Sequence, residues 1–286
     1  MFHILTDAGS NLTTALQRQY NIGVVPMVYT MDGAEHEYPA PDFNGKAFYD
    51  GIRAGAEVKT SLANADRIIE AMRPLAEAGN DVLFISLSAG ISGTYKQAEA
   101  ACEQIAKEYN VQAVAIDSLG AGLGEGLLAI LAAKMRSEGA DFATTVAWVR
   151  ENILNLNQHF VVGELKYLHK TGRISAISSL LGSVLNIKPI LTGSKEGKIV
   201  SEAKVKGRRP AMNKLLSIFN EQRGEERGLV AITHTDAPEE ACRLADEIRA
   251  TGKADEVIVE EYEPITGSHV GPGTVALFFM GLPRLI

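Results

Sequence analysis

The stretch DVLFISLSAGISGTYKQAEAACEQI, residues 81–105, decides the fold. Its first seven residues form an almost continuous apolar run. That run has the length of a strand, and it is too apolar for one that faces water. Small residues and two glycines, Gly90 and Gly93, then break the run. Beyond them Ala98, Cys102, Ile105 and Tyr109 recur at helical spacing and draw one apolar stripe. The reading is buried strand, glycine turn, helix, which is the repeating unit of a parallel α/β sheet.

The same alternation extends outward. FHILTD (2–7) reads as a strand ending at Asp7, LTTALQRQY (12–20) as a helix, and IGVVPMVYT (22–30) as a second strand. Asp42 is placed to cap a helix over FNGKAFYDGIRAG (43–55). TSLANADRIIEAMRPLAEAG (60–79) starts another helix, with Ile68, Ile69, Met72 and Leu75 on one face. VQAVAID (111–117) is a further strand, and two helices follow it. Near residue 160 the pattern changes. HFVVGEL (159–165) reads as a strand, and YLHKTGRISAISSLLGSVL (167–185) as basic, then helical. KPILTGSKEGKIVSEAKVK (188–206) reads as a hairpin. A helix, the strand GLVAITHT (228–235), a helix from Pro238, the strand DEVIVEEYEP (255–264) and a glycine-rich helix start complete the chain. The expected class is α/β with two domains. Residues 1–160 form a Rossmann-like, mostly parallel sheet flanked by helices, and residues 161–286 form an α+β domain.

Composition narrows the function. The 286 residues are 46% hydrophobic, enough for substantial cores. A net charge of −7 argues against a general nucleic-acid binder. Cys102 and Cys242 read as buried, reduced thiols. The N-terminal MFHILTDAGS has no basic segment leading into an apolar one, and no apolar run reaches bilayer length. These features predict a cytoplasmic protein without membrane insertion. The six histidines are scattered and the cysteines far apart, so no metal site is predicted. Residues 164–214 hold 11 Lys and Arg against 3 Asp and Glu, a candidate docking surface for an acidic partner.

Gly90-Ile91-Ser92-Gly93-Thr94 approaches the G-x-S-x-G nucleophile elbow but has Thr94 where the last glycine belongs. A serine hydrolase would use Ser92, with Asp117 and either His234 or His269. The simpler reading is an anion cradle. Ser92, Gly93 and Thr94 open a helix, where unpaired amides and the helix dipole favour a phosphate or carboxylate. Ser92 as a mere helix cap is the structural alternative. Thr60 and Ser61 precede another helix, and DSLGAGLGEG (117–126) places glycines after a strand. That last run lacks the G-x-G-x-x-G spacing, so no dinucleotide site is implied. His269 stands beside Gly271, Pro272 and Gly273. A third reading is a sensor of a small polar anion.

ILTDAGSNL, KTSLAN, SAGISGTYKQA, IDSLGAGLGEG, KYLHKTGRIS, LLGSVLNIKPIL and HVGPG occur in this order across nearly the whole chain. Together they resemble the DegV family of bacterial fatty-acid-binding proteins. The resemblance implies a non-catalytic carrier that buries one long-chain fatty acid in a tunnel between its domains. It implies no cofactor, and it implies a partner: a separate fatty acid kinase that converts the carboxylate to an acyl phosphate for phospholipid synthesis. It assigns the carboxylate to Thr60 and Ser92, with Ser61, Gly93 and Thr94 around them, and matches His269 to the family's C-terminal histidine. It places Gly172-Arg173-Ile174 on the kinase side, where Lys166, Lys170, Arg208 and Arg209 add basic charge. Leu62-Ala63-Asn64 departs from the family's Q-P-S. LLGSVLNI (180–187) and VALFFMGL (275–282) are candidates for the tunnel wall.

Overall fold

The computed structural model describes residues 1–174, 186–225 and 227–286. In chain order the elements begin with β1 (Phe2–Asp7), α1 (Thr14–Tyr20), β2 (Ile22–Val25), β3 (Met27–Met31), β4 (Ala34–Tyr38) and α2 (Gly45–Ala54). Then come β5 (Val58–Thr60), α3 (Ala65–Glu77), β6 (Asp81–Ser86), α4 (Thr94–Tyr109), β7 (Ala113–Asp117), α5 (Leu123–Ser137) and α6 (Phe142–Asn152). The later part holds β8 (Leu156–Val161), α7 (Lys166–Lys170), β9 (Ile187–Gly193), β10 (Ile199–Lys206), α8 (Arg208–Gln222), β11 (Leu229–His234), α9 (Pro238–Ala250), β12 (Glu256–Glu261), α10 (Pro264–Val270) and β13 (Val275–Met280).

The chain divides into two compact units, residues 1–43 with 59–153, and residues 44–58 with 154–286. The first is built on a parallel sheet in the order β2-β1-β6-β7. Register pairs Thr6 with Ile85 and Ser86 with Asp117, so β1, β6 and β7 end at one edge. The chain order reverses between β1 and β6. In open parallel sheets, ligands sit outside the strand ends at such a reversal. Helices α4 and α5 pack on the strands through Ala98, Cys102, Ile105, Leu127 and Ile130, all buried. A small sheet, β4-β3-β5, completes the unit.

The second unit has a six-stranded sheet in the order β10-β9-β8-β13-β11-β12, antiparallel except for β11 with β12. Leu215, Phe219, Ile232, Leu244, Ile248, Val275, Leu277 and Phe279 form its main core. The segment 44–58 groups here, away from its chain neighbours. Tyr49 is fully buried and donates its hydroxyl to the Tyr262 carbonyl at 2.7 Å.

Several expectations are corrected. IGVVPMVYT is two strands in two different sheets, because Pro26 has no N–H to give a ladder. Asn44, not Asp42, caps α2, accepting from Ala47 N at 3.0 Å. The glycine-rich helix expected after DEVIVEEYEP is α10, but it is short, and the chain does not end on it: after the Gly271-Pro272-Gly273 turn comes β13, which sits between β8 and β11 at the heart of the sheet. Cys102 is buried as expected, but Cys242 is exposed, since α9 turns Ala241, Leu244, Ala245 and Ile248 inward instead. The helix expected over 175–185, and most of LLGSVLNI, lie outside the described residues.

Candidate functional site

Three turns leave the common edge of the parallel sheet, after Asp7, Ser86 and Asp117. The middle one carries Ser92. Its start is tied to both neighbours: Leu87 N donates to Asp7 Oδ2 at 3.0 Å and Ala89 N to Asp117 Oδ1 at 3.1 Å. Ser88 N reaches Gly120 O at 2.9 Å. Within the turn, Ser88 O accepts from Ile91 N (3.2 Å) and Ser92 N (3.0 Å). The chain is thus folded back tightly before α4 begins.

At the helix mouth Ser92 Oγ lies 2.9 Å from Thr94 Oγ1 and accepts from Thr94 N at 3.2 Å. Thr94 is buried, Ser92 half-buried and Gly93 exposed. Gly93 occupies the cap position and has no side chain to accept from the amides beyond Thr94. Those amides point away from the helix and carry its positive end. Of two paired hydroxyls only one proton is spent on the pair; the other is left for an acceptor. The arrangement suits a carboxylate or phosphate oxygen.

The 60–64 loop belongs to the same place. A Cβ at Gly93 would stand 3.1 Å from Leu62 Cδ2, and Ala65 N donates to Gln97 Oε1 on α4 at 3.2 Å. Thr60 ends β5, and Ser61 N is held by Val28 O at 2.8 Å. The helix beyond begins at Ala65, capped by Asn64 through Arg67 N at 3.0 Å, so Thr60 and Ser61 are not its opening residues. Asn64 does as a cap what a serine would do there. Ala63 is fully buried, and Leu62 is 40% exposed, an apolar group over the anion turn.

The second unit holds the remaining predicted residues. His269 lies in the last turn of α10. Burial, with a smaller contribution from Arg173, pushes its imidazole down to about 4. It is therefore neutral at pH 7 and offers a hydrogen bond without a formal charge. Arg173 is itself part-buried, its guanidinium held by the Thr171 carbonyl. The structure so brings Arg173 toward His269, a proximity that their sequence separation conceals. Gly163 packs on the glycine turn after His269: a Cβ there would meet Pro272 O at 2.3 Å. Lys170 is exposed. Arg208 is engaged within the unit, through Nε and Nη2 to Glu240 and Nη1 to the Val161 and Val162 carbonyls.

The hydrolase reading is not supported. Ser92 Oγ is bonded to Thr94, not to an imidazole. Asp117 accepts from the Ala89 and Leu119 amides, and His234 Nδ1 accepts from Ala237 N. The tunnel-wall candidate VALFFMGL is largely β13, whose Val275, Leu277 and Phe279 belong to the main core. A cavity of about 440 Å³ lined by Met1, Phe2, Asp81, Gln112 and Arg136 lies at the opposite strand ends, away from the turns. Among the described residues no group of three or more His, Cys, Asp or Glu could hold a metal, and no helix is long and apolar enough to cross a membrane.

Sequence reasoning missed Asp7. The signal was present in TDAGSN: an aspartate at a strand end before small residues accepts backbone amides in a turn.

Fold and turn together define a two-unit α/β protein with a hydroxyl-bearing turn, of a kind suited to an anion, at the switch point of its parallel sheet. The DegV family model matches residues 1–281, and the chain belongs to that family. A DegV domain-containing protein of Clostridium perfringens is 31% identical over 283 residues, covering 98% of this chain and 97% of that one. Among solved structures, a fatty-acid-binding DegV family protein from Thermus thermophilus superposes with a TM-score of 0.89 at 26% identity, covering 98% of this chain and 99% of that one. One from Streptococcus agalactiae, also described as fatty acid binding, gives 0.83 at 26% identity, covering 97% and 98%.

Proposed function

We propose that this chain is a non-catalytic carrier of one long-chain fatty acid, whose carboxylate is held at the Ser92 turn. The observation that carries the reading is the Ser92–Thr94 hydroxyl pair at a helix mouth whose cap residue, Gly93, has no side chain. Family membership supports it, since related DegV proteins bind fatty acids.

The energetics divide the labour. Burying an acyl tail stabilises by roughly 0.8 kcal/mol per methylene, so about 15 methylenes contribute on the order of 12 kcal/mol gross. A hydrogen bond to a charged group nets about 1.5–3 kcal/mol. The tail supplies most of the affinity. Ser92, Thr94, Thr60, Ser61 and the Gly93 backbone orient the head and offset its desolvation. His269, as a neutral donor, is assigned to the same head group.

The carrier reading extends to a partner. A separate kinase phosphorylates the bound carboxylate in the cytoplasm, and the acyl phosphate feeds phospholipid synthesis. Lys170 and Arg173 serve its docking. Arg208, engaged with Glu240, contributes by shaping that surface, while the neighbouring Arg209 is exposed.

Ser92→Ala tests the head-group assignment. The variant is expected to fold, to lose fatty acid about tenfold faster in a dissociation assay, and to be phosphorylated more slowly. Retention and turnover equal to the parent's would reduce Ser92 to a helix cap.

A further inference from the structure

Asp7 is fully buried at the end of β1, where the order of the parallel sheet reverses. Its Oδ1 accepts from Gly9 N at 2.9 Å. Its Oδ2 accepts from Leu87 N at 3.0 Å, with Ser86 Oγ at 3.4 Å. One carboxylate thus joins the turn after β1 to the turn after β6. The connection runs on toward the anion site. Leu87 is pinned by Asp7, and the carbonyl of the next residue, Ser88, accepts from Ser92 N. Two steps of backbone separate the Asp7 carboxylate from the residue that faces the ligand.

We propose that Asp7 is a positioning residue for the anion turn, fixing through Leu87 and Ser88 where Ser92 and Thr94 stand. The proposal rests on the fatty-acid reading and deepens it. Asp7 does not touch the ligand; it holds the group that does. Its chemistry fits the task, because an ionised carboxylate has acceptors on both oxygens and no donor, and so can take amides from two different turns at once. Burial pushes the acid up to about 6, so holding the charged form at neutral pH opposes folding. Residues that work against stability in this way concentrate where geometry serves function.

A double-mutant cycle separates positioning from plain core stability. The readout is the release of oleate from the folded protein into an albumin sink, for the parent, Asp7→Asn, Ser92→Ala and the double variant. Asparagine keeps the size of the side chain but turns a donor toward one of the two amides. Asp7→Asn is expected to speed release about tenfold, and to add little once Ser92 is already alanine. Gly9→Ala is the second probe and leaves the carboxylate in place. Its Cβ would stand 2.9 Å from Asp7 Oδ1 and 3.1 Å from Leu87 Cδ2, so it displaces the same junction. It is expected to speed release in the same non-additive way. Release at the parent rate in both variants overturns the proposal, as does an effect that multiplies undiminished onto Ser92→Ala. A parent protein that takes up no oleate overturns the fatty-acid reading and this proposal together. A parent that binds oleate, with variants that release it normally, overturns the positioning alone.

Discussion

At the residue scale, neither the Ser92 turn nor His269 carries a formal charge at neutral pH. The turn at Ser92 offers hydroxyls and amides without a formal charge. His269 sits in the other unit with its pKa depressed to about 4 from the usual 6.5. The sign of its effect on stability follows. Below pH 6.5 the unfolded chain takes up a proton that the folded chain refuses, so stability falls as pH drops toward about 4. Asp7 acts in the other sense. Its folded carboxyl keeps a proton up to about 6 where the unfolded one releases it near 3.8, so its contribution declines as pH rises through that window. The two overlap, and only difference measurements separate them. Denaturant titrations of the parent and His269→Gln should give a stability difference that shifts against the parent between pH 6.5 and 4 and is flat above 7. A flat difference throughout would mean that the imidazole ionises normally. The place of Ser92 was legible in the sequence, because glycines on either side of it at the end of an apolar run mark a strand–helix turn. Asp7 and the Arg173–His269 proximity were not, because both depend on residues brought together from distant parts of the chain.

At the scale of elements, local patterning carried most of the fold. The apolar run at 82–87, the stripe on α4 and the hairpin at 187–206 all stand where periodicity places them. It failed where one residue outranks the pattern. Pro26 cuts a single apolar run into strands of separate sheets. The last strand was hidden because GSHVGPGTVALFF begins like a helix cap and then runs apolar, a pattern shared by buried helices and buried strands. Its glycines answer to packing as much as to conformation. Gly163 approaches the backbone at Pro272 so closely that a methyl group has no room. Gly163→Ala is therefore expected to destabilise the second unit by about 1–3 kcal/mol, read as a lower denaturation midpoint. An unchanged midpoint would show that the crossing is looser than the structure has it. The departure at Leu62-Ala63-Asn64 likewise resolves locally: Asn64 keeps the cap, Ala63 fills the core, and only Leu62 alters the surroundings of the turn.

At the scale of the whole molecule, a net charge of −7 coexists with a strongly basic stretch at 164–214. Sequence could count these cations but could not show which were already engaged. Arg208 is paired with Glu240, Lys166 with Glu164, and Arg173 is drawn in toward His269. That leaves a sharp test of the partner reading. Arg173→Ala should leave the bound lipid unchanged while slowing kinase-dependent phosphorylation. Loss of lipid instead would assign Arg173 to the head group together with His269. The central claim is simpler, and so is its measurement. The purified protein is unfolded in organic solvent and the released small molecules are identified by mass spectrometry. The account predicts a long-chain fatty acid near one per chain. A protein that releases none, and takes up none when long-chain fatty acids are added, would contradict it.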